Sequence, residues 1–141
     1  MDTQKKNDLA YGLFSENLVE PIIQDYFGST VVNTKLTHGK YCPYDYESED
    51  KKTRYELKSR RINHDTYPTI LIGKNKIIKG IKGTDRFILL FLFNDGLYFI
   101  QYEPLLFSGF TTGSFTRVRD GCDEKQTVVH IPIQHLKKIN L

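Results

Sequence analysis

The stretch Tyr41–Arg61, YCPYDYESEDKKTRYELKSRR, reads as two short strands joined by a polar turn at Glu49–Lys52. Strand side chains alternate between faces. Arg54, Glu56, Lys58 and Arg60 therefore share one face, and Tyr55 and Leu57 point to the other. Pairing around the turn brings Asp45 near Glu56, although ten residues lie between them. Two carboxylates and a lysine converging in this way are the residue types that hold a divalent cation and activate a water for phosphodiester hydrolysis.

The rest of the chain sets the frame for that hairpin. At 141 residues it predicts a single domain spanning residues 1–141, long enough to bury an ordinary core. The hydrophobic share of 39% and the nine Phe and nine Tyr argue for a folded globule rather than a disordered chain. The N-terminal MDTQKKNDLAYG lacks the apolar core of a signal peptide. The longest apolar run, Phe87–Phe93, falls far short of the ~20 residues that span a bilayer. With only Cys42 and Cys122 there is no disulfide framework, so the expectation is an intracellular, cytoplasmic protein (in the host cell if viral) without a membrane partner. His38, Cys42, Cys122 and His130 do not have paired zinc-ligand spacing. GKNK lacks the spacing and the Ser or Thr of an NTPase phosphate loop.

Charge is uneven. Residues 51–82 hold ten Lys and Arg against two acids, a local +8 in a chain of net +3. A basic block following a pair of acids suits a polyanion approaching a metal site; a lysine-rich solvated surface is the plainer alternative.

Along the chain, residues 8–27 predict a helix with Asn7 or Asp8 as cap, Gly28 as stop and a kink at Pro21. Tyr11, Phe14, Leu18, Ile22 and Tyr26 form its expected core stripe, with Glu16 and Glu20 one turn apart on a flank. Thr30–Leu36 predicts a strand. Pro68 suits the first turn of a helix carrying Ile70, Leu71, Ile77, Ile78 and Ile81 on its apolar face. Gly73 and Gly80 weaken that helix, and the alternative is an extended Thr69–Ile72 with the helix starting near Lys74. Arg86–Phe93 reads as a central strand covered on both faces, Asn94–Gly96 as a hairpin turn and Leu97–Glu103 as the next strand. Pro104–Ser114 reads as loop, Phe115–Arg119 and Thr127–Pro132 as a second hairpin, and Gln134–Ile139 as a closing short helix.

Pro43, Tyr44 and Asp45, followed by Glu56, Leu57 and Lys58, resemble the signature of the PD-(D/E)xK nuclease superfamily, with Tyr44 standing between the Pro and the Asp. The order of elements over residues 8–93 is similar to the α-β-β-β-α-β core of that superfamily, with the acids on its second and third strands. The resemblance implies an α/β, restriction-endonuclease-like fold: a mixed central sheet flanked by helices, here with an added C-terminal hairpin. It implies that Asp45 and Glu56 hold Mg²⁺ or Mn²⁺ with the Leu57 carbonyl, and that Lys58 orients the attacking water or neutralises the scissile phosphate. Glu16 or Glu20 resembles the acid that many members carry on the first helix, and Lys76 the second-helix residue that often reaches the site. Arg60, Arg61, Lys74, Lys76 and Lys79 would then contact phosphates, giving affinity with little sequence specificity.

The implied activity is metal-dependent endonucleolytic cleavage of DNA, branched or duplex, by a structure-directed or weakly specific enzyme of the phage or Holliday-junction-resolving type. RNA stays open as a partner. A homodimer is expected because two nicks need two sites. Tyr41, Tyr44, Tyr46 and Tyr55 are candidates either for stacking on unpaired bases or for packing. Two other readings remain open: a catalytically inactive nucleic-acid-binding module on the same fold, and a protein-interaction domain whose charged hairpin is only surface.

Overall fold

The structure is a computed structural model and describes residues 18–34, 39, 42, 44–119 and 122–140. It is mixed α/β. A helix over residues 18–27 (α1) leads into β1 (Val31–Asn33), β2 (Tyr46–Ser48) and β3 (Thr53–Ser59). Then come β4 (Thr69–Gly73), α2 (Lys74–Ile81), β5 (Arg86–Phe93) and β6 (Gly96–Gln101). Helix α3 (Pro104–Ser108), β7 (Thr112–Arg119), β8 (Cys122–Pro132), a 3₁₀ turn (Ile133–His135) and β9 (Lys137–Ile139) complete it.

Two sheets result. The larger has strand order β1-β2-β3-β5-β6-β9, and the smaller β4-β8-β7. All pairs are antiparallel except β3 with β5, which the β4–α2 connection makes parallel. Strand β5 carries the core. Phe87, Leu89, Phe91 and Phe93 join one apolar cluster with Ile72, Ile77 and Ile131, while Ile88 and Leu90 join a second with Val19, Ile23, Tyr46 and Tyr55. An apolar run without alternation is what a strand buried on both faces requires, and each such side chain contributes roughly 1.5–3 kcal/mol by leaving water. Strand β3 does alternate, because only Tyr55 and Leu57 belong to the α1 side.

Helix α2 reaches β5 through Gly80. A Cβ there would lie 2.4 Å from the Phe87 ring, so the residue that weakens the helix in isolation is the one that lets it sit on the sheet. The alternative boundary in this region holds: Thr69–Gly73 is extended and the helix starts at Lys74, so Ile70 is a strand residue and Ile78 is exposed.

Four expectations need correction. The core stripe of α1 is Val19 and Ile23, both fully buried, whereas Leu18 and Tyr26 are exposed. The stripe starting at Val19 has the same spacing one residue along, and Tyr26 instead closes edge-on against Phe27 and Phe99. Pro104–Ser108 is helical, with Pro at the start where a missing N–H costs nothing. Lys137–Ile139 is a strand, because Ile139 enters the core opposite Leu97 and covers the β6 edge. The second hairpin is also longer than predicted, with β7 starting at Thr112 and β8 at Cys122. The helix start, Tyr11, Phe14 and Leu36 lie outside the described residues. No helix among the described residues is long and apolar enough to cross a membrane.

Candidate active site

The polar turn between β2 and β3 sets the register. Ser48 Oγ donates to Asp50 Oδ1 at 2.6 Å and accepts the Thr53 N–H at 3.1 Å, and the Lys52 N–H donates to Asp50 Oδ1 at 3.0 Å. The Ser48 hydroxyl, then the Lys52 N–H, hold the Asp50 carboxyl below its ordinary range. With the turn fixed, Tyr46 pairs with Tyr55 and Glu47 with Arg54. The paired register ends at Tyr46, and Asp45 is the residue just before it.

Asp45 is held by its main chain and its side chain together. Its N–H donates to Tyr55 O at 2.9 Å, its carbonyl accepts the Thr34 N–H at 2.9 Å, and Oδ2 accepts the Leu57 N–H at 2.8 Å. Glu56 is 3% exposed. Lys58 Nζ lies 3.6 Å and Lys76 Nζ 3.5 Å from Glu56 Oε1. Both contacts are longer than the about 2.7–2.9 Å of a direct charge-assisted hydrogen bond. Burial lowers the Lys58 pKa below the ordinary lysine value; Glu56 opposes that shift, and Lys76 and Arg60 add to it.

One residue pair along the same face stands a tighter arrangement. Arg54 Nε donates to Glu47 Oε2 at 3.2 Å. Its Nη1 donates to the Gly80 carbonyl at 3.1 Å and the Lys82 carbonyl at 2.6 Å, and the guanidinium sits 4.4 Å from the Tyr44 ring centroid. Arg54 thereby ties β2, β3 and the end of α2 together.

Of the residues singled out in the sequence, the structure gathers Asp45, Glu56, Lys58 and Lys76. The Leu57 backbone adjoins them, with its side chain on the other face. Glu20 is half-buried on α1, whose buried residues pack on the sheet face opposite Glu56, so the structure does not bring it to this group. Glu16, Pro43 and Tyr41 lie outside the described residues. Arg60, Arg61, Lys74 and Lys79 are exposed. Tyr46 and Tyr55 are 1% exposed and belong to the core, so they are packing residues rather than base-stacking ones.

Sequence reasoning missed a second polar group. His64 Nδ1 lies 2.5 Å from Asp95 Oδ2, the His64 N–H donates to Asp95 Oδ1 at 2.8 Å, and the Tyr98 hydroxyl lies 3.0 Å from Nδ1. The imidazole stacks on the Tyr98 ring at 4.5 Å. Burial acts to raise the Asp95 pKa, but the side-chain and main-chain bonds from His64 hold it below its ordinary value. His64, Asp65 and Asp95 also place one ligand atom each within 4.8 Å of one another. This group clamps the segment after β3 onto the β5–β6 turn. No sequence spacing announces it, because His64 and Asp95 are 31 residues apart. Comparison of the chain with protein-family profiles, curated proteins and solved structures gives no match in any of the three.

Proposed function

We propose that the protein is a divalent-metal-dependent nuclease that hydrolyses phosphodiester bonds in DNA through Asp45, Glu56 and Lys58. The observation that carries the reading is the end of the hairpin, where Asp45 Oδ2 accepts the Leu57 N–H between Glu56 and Lys58, and Lys58 Nζ lies 3.6 Å from Glu56 Oε1. The element order supports it: α1, three antiparallel strands, then α2 and a strand parallel to β3, with β4 inserted ahead of α2. On this reading the fold is the restriction-endonuclease-like core, widened by β6 and β9.

The donor set fits a hard cation. Asp45 and Glu56 would offer carboxylate oxygens, and the Leu57 carbonyl is the neighbouring neutral donor, the ligand types that Mg²⁺ and Mn²⁺ take. When bound, such a cation supplies Lewis acidity and lowers the pKa of a coordinated water. The chain's own residues do the rest. Lys58, partly desolvated on the same face, neutralises a non-bridging phosphate oxygen in a setting where one charge acts strongly. Lys76 reaches the same carboxylate from α2 and can meet the phosphate from the other side. Arg60, Arg61, Lys74 and Lys79 are exposed cations that would attract the polyanion.

The test is cleavage of supercoiled plasmid and of a synthetic four-way junction with Mg²⁺, Mn²⁺ or EDTA. Wild type runs beside Glu56→Gln and Lys58→Ala. The expected outcome is metal-dependent nicking that falls about 10²–10³-fold in each variant, the size seen when a transition-state charge partner is removed. Wild-type protein that binds DNA but cuts in no metal sinks the catalytic reading and leaves a binding module in its place.

A further inference from the structure

A groove of about 480 Å³ opens beside the proposed site, lined among others by Arg60, Ile62, Tyr67, Pro68, Leu71 and His130. That volume is in the about 300–1,000 Å³ range of small-ligand sites. Its two walls are the segments that connect the site's own residues. One begins at Arg60, just past the end of β3, two residues beyond Lys58 and close enough to act on the Lys58 charge. The other is β4, which runs directly into α2 and Lys76. The His64–Asp95 clamp holds the segment between these walls.

Its chemistry is mixed in a specific way. Tyr67 is 62% exposed and Leu71 38%, so both present apolar surface to the groove. Arg60, Thr69 and His130 are the polar residues of the lining, and among the described residues no carboxylate belongs to it. An aromatic wall and an aliphatic floor beside a cation match a planar apolar group attached to an anion. A fully paired duplex presents phosphates to such a surface but keeps its bases stacked away from it.

We infer that this groove receives an unpaired nucleobase of the nucleic-acid substrate, stacked on Tyr67, with its phosphate toward Arg60. The inference rests on the nuclease reading and narrows it: the substrate is DNA with single-stranded or splayed nucleotides next to the cut, rather than perfect duplex. Base–aromatic stacking tolerates any sequence, because every base has a π-face. Tyr67, and not the buried Tyr46 and Tyr55, is then a stacking residue.

The experiment measures binding in EDTA, so that no cleavage intervenes. Fluorescence anisotropy compares a labelled flap oligonucleotide with a blunt duplex of equal length, for wild type, Tyr67→Ala and Tyr67→Phe. A 2-aminopurine in the first unpaired position reports stacking directly. Tyr67→Ala should weaken flap binding about tenfold, the lower part of what loss of one stacked base costs, with duplex binding unchanged. Tyr67→Phe should keep both the affinity and the 2-aminopurine quenching. Equal binding of the flap by wild type and Tyr67→Ala overturns the groove assignment. So does an equal loss on flap and duplex, or a wild-type dimer in sedimentation that Tyr67→Ala dissolves, which would make the groove a contact between copies. Plasmid cleavage by the same preparations separates the two readings. Nicking that persists without Tyr67-dependent flap binding removes the groove alone. Flap binding that needs Tyr67 in a protein that never cuts removes the nuclease alone.

Discussion

Two charge clusters lie side by side on one face of β2 and β3, and they are built on opposite principles. In the first, Arg54 meets Glu47 at 3.2 Å and places Nη1 on two helix-end carbonyls, with side chains 14% and 10% exposed. In the second, the Glu56 carboxylate at 4% exposure faces two ammonium groups at 3.5 and 3.6 Å, neither in direct hydrogen-bond contact. A planar guanidinium in a satisfied pocket fixes geometry. Two flexible lysines held just off a buried carboxylate leave the carboxylate able to change partners. The same residue types, one pair of positions apart, thus make a satisfied joint in one place and a looser contact in the other, the one proposed above as the site.

The largest expected effect breaks the first cluster. Arg54→Met leaves Glu47 buried beside apolar neighbours without its guanidinium and removes the tie to the end of α2. Breaking one side of such a buried pair costs about 3–5 kcal/mol, which urea denaturation would read as a lower midpoint at unchanged slope. Glu47→Leu combined with Arg54→Met should recover most of that loss, since a well-packed apolar pair replaces a buried ionic one at little cost. Glu56→Gln, by contrast, removes a buried charge from the looser cluster and should leave stability unchanged or higher. Equal losses in Arg54→Met and Glu56→Gln would erase the distinction between joint and site.

That distinction shows how far the sequence could be read. The alternation of Arg54, Glu56 and Lys58 against Tyr55 and Leu57 is a period-two signal, so their faces were legible, as was the turn that pairs Tyr46 with Tyr55 and Glu47 with Arg54. The apolar run of β5 announced its burial on both faces in the same direct way. Glu47 and Arg54 carried the same charges on the same face, yet nothing local said that Arg54 would find the carbonyls of residues 26 and 28 positions away. The stripe of α1 slipped by one residue because two apolar rows run along that helix, and only packing against Tyr46 and Tyr55 chooses between them. Strand β9 was unreadable for a related reason: three residues gain their structure from the edge of β6, not from their own propensity. The groove beside Tyr67 needed the long-range closure of His64 on Asp95.

The pH dependence of cleavage sharpens the second cluster. Burial disfavours the Lys58 ammonium, so its proton leaves at a lower pH than from an exposed lysine, although Glu56 and Asp45 hold it back. Between the lowered folded value and the ordinary unfolded one, the unfolded chain binds more protons, and this group makes stability rise with pH in that window. Catalysis has the opposite sign if the ammonium neutralises phosphate: the rate should fall on the alkaline side as Lys58 deprotonates, about tenfold per pH unit along the limb. Lys58→Arg, whose guanidinium does not titrate in this range, should lose that limb while keeping part of the plateau rate. An alkaline limb of equal position in both proteins would assign the titration to another group.

The smallest effect concerns Lys76. It is the more exposed of the two lysines at Glu56, 38% against 26%, and it reaches the carboxylate from a different element. Any divalent cation held by Asp45 and Glu56 must be bound against the repulsion of both ammonium groups, and the exposed one moves away more readily. Lys76→Gln should therefore tighten Mn²⁺ binding about two- to fivefold in isothermal titration calorimetry, the scale of a partly solvated pair worth up to ~1 kcal/mol. Raising the salt should shrink the gain, because an exposed charge is screened and a buried one much less. Tighter binding with slower cleavage would mean that Lys76 opposes the cation in the resting protein and serves the phosphate during the reaction. Unchanged cation affinity would mean that its contact with Glu56 is only a surface pair, and Lys58 alone would then define the exchangeable side of the cluster.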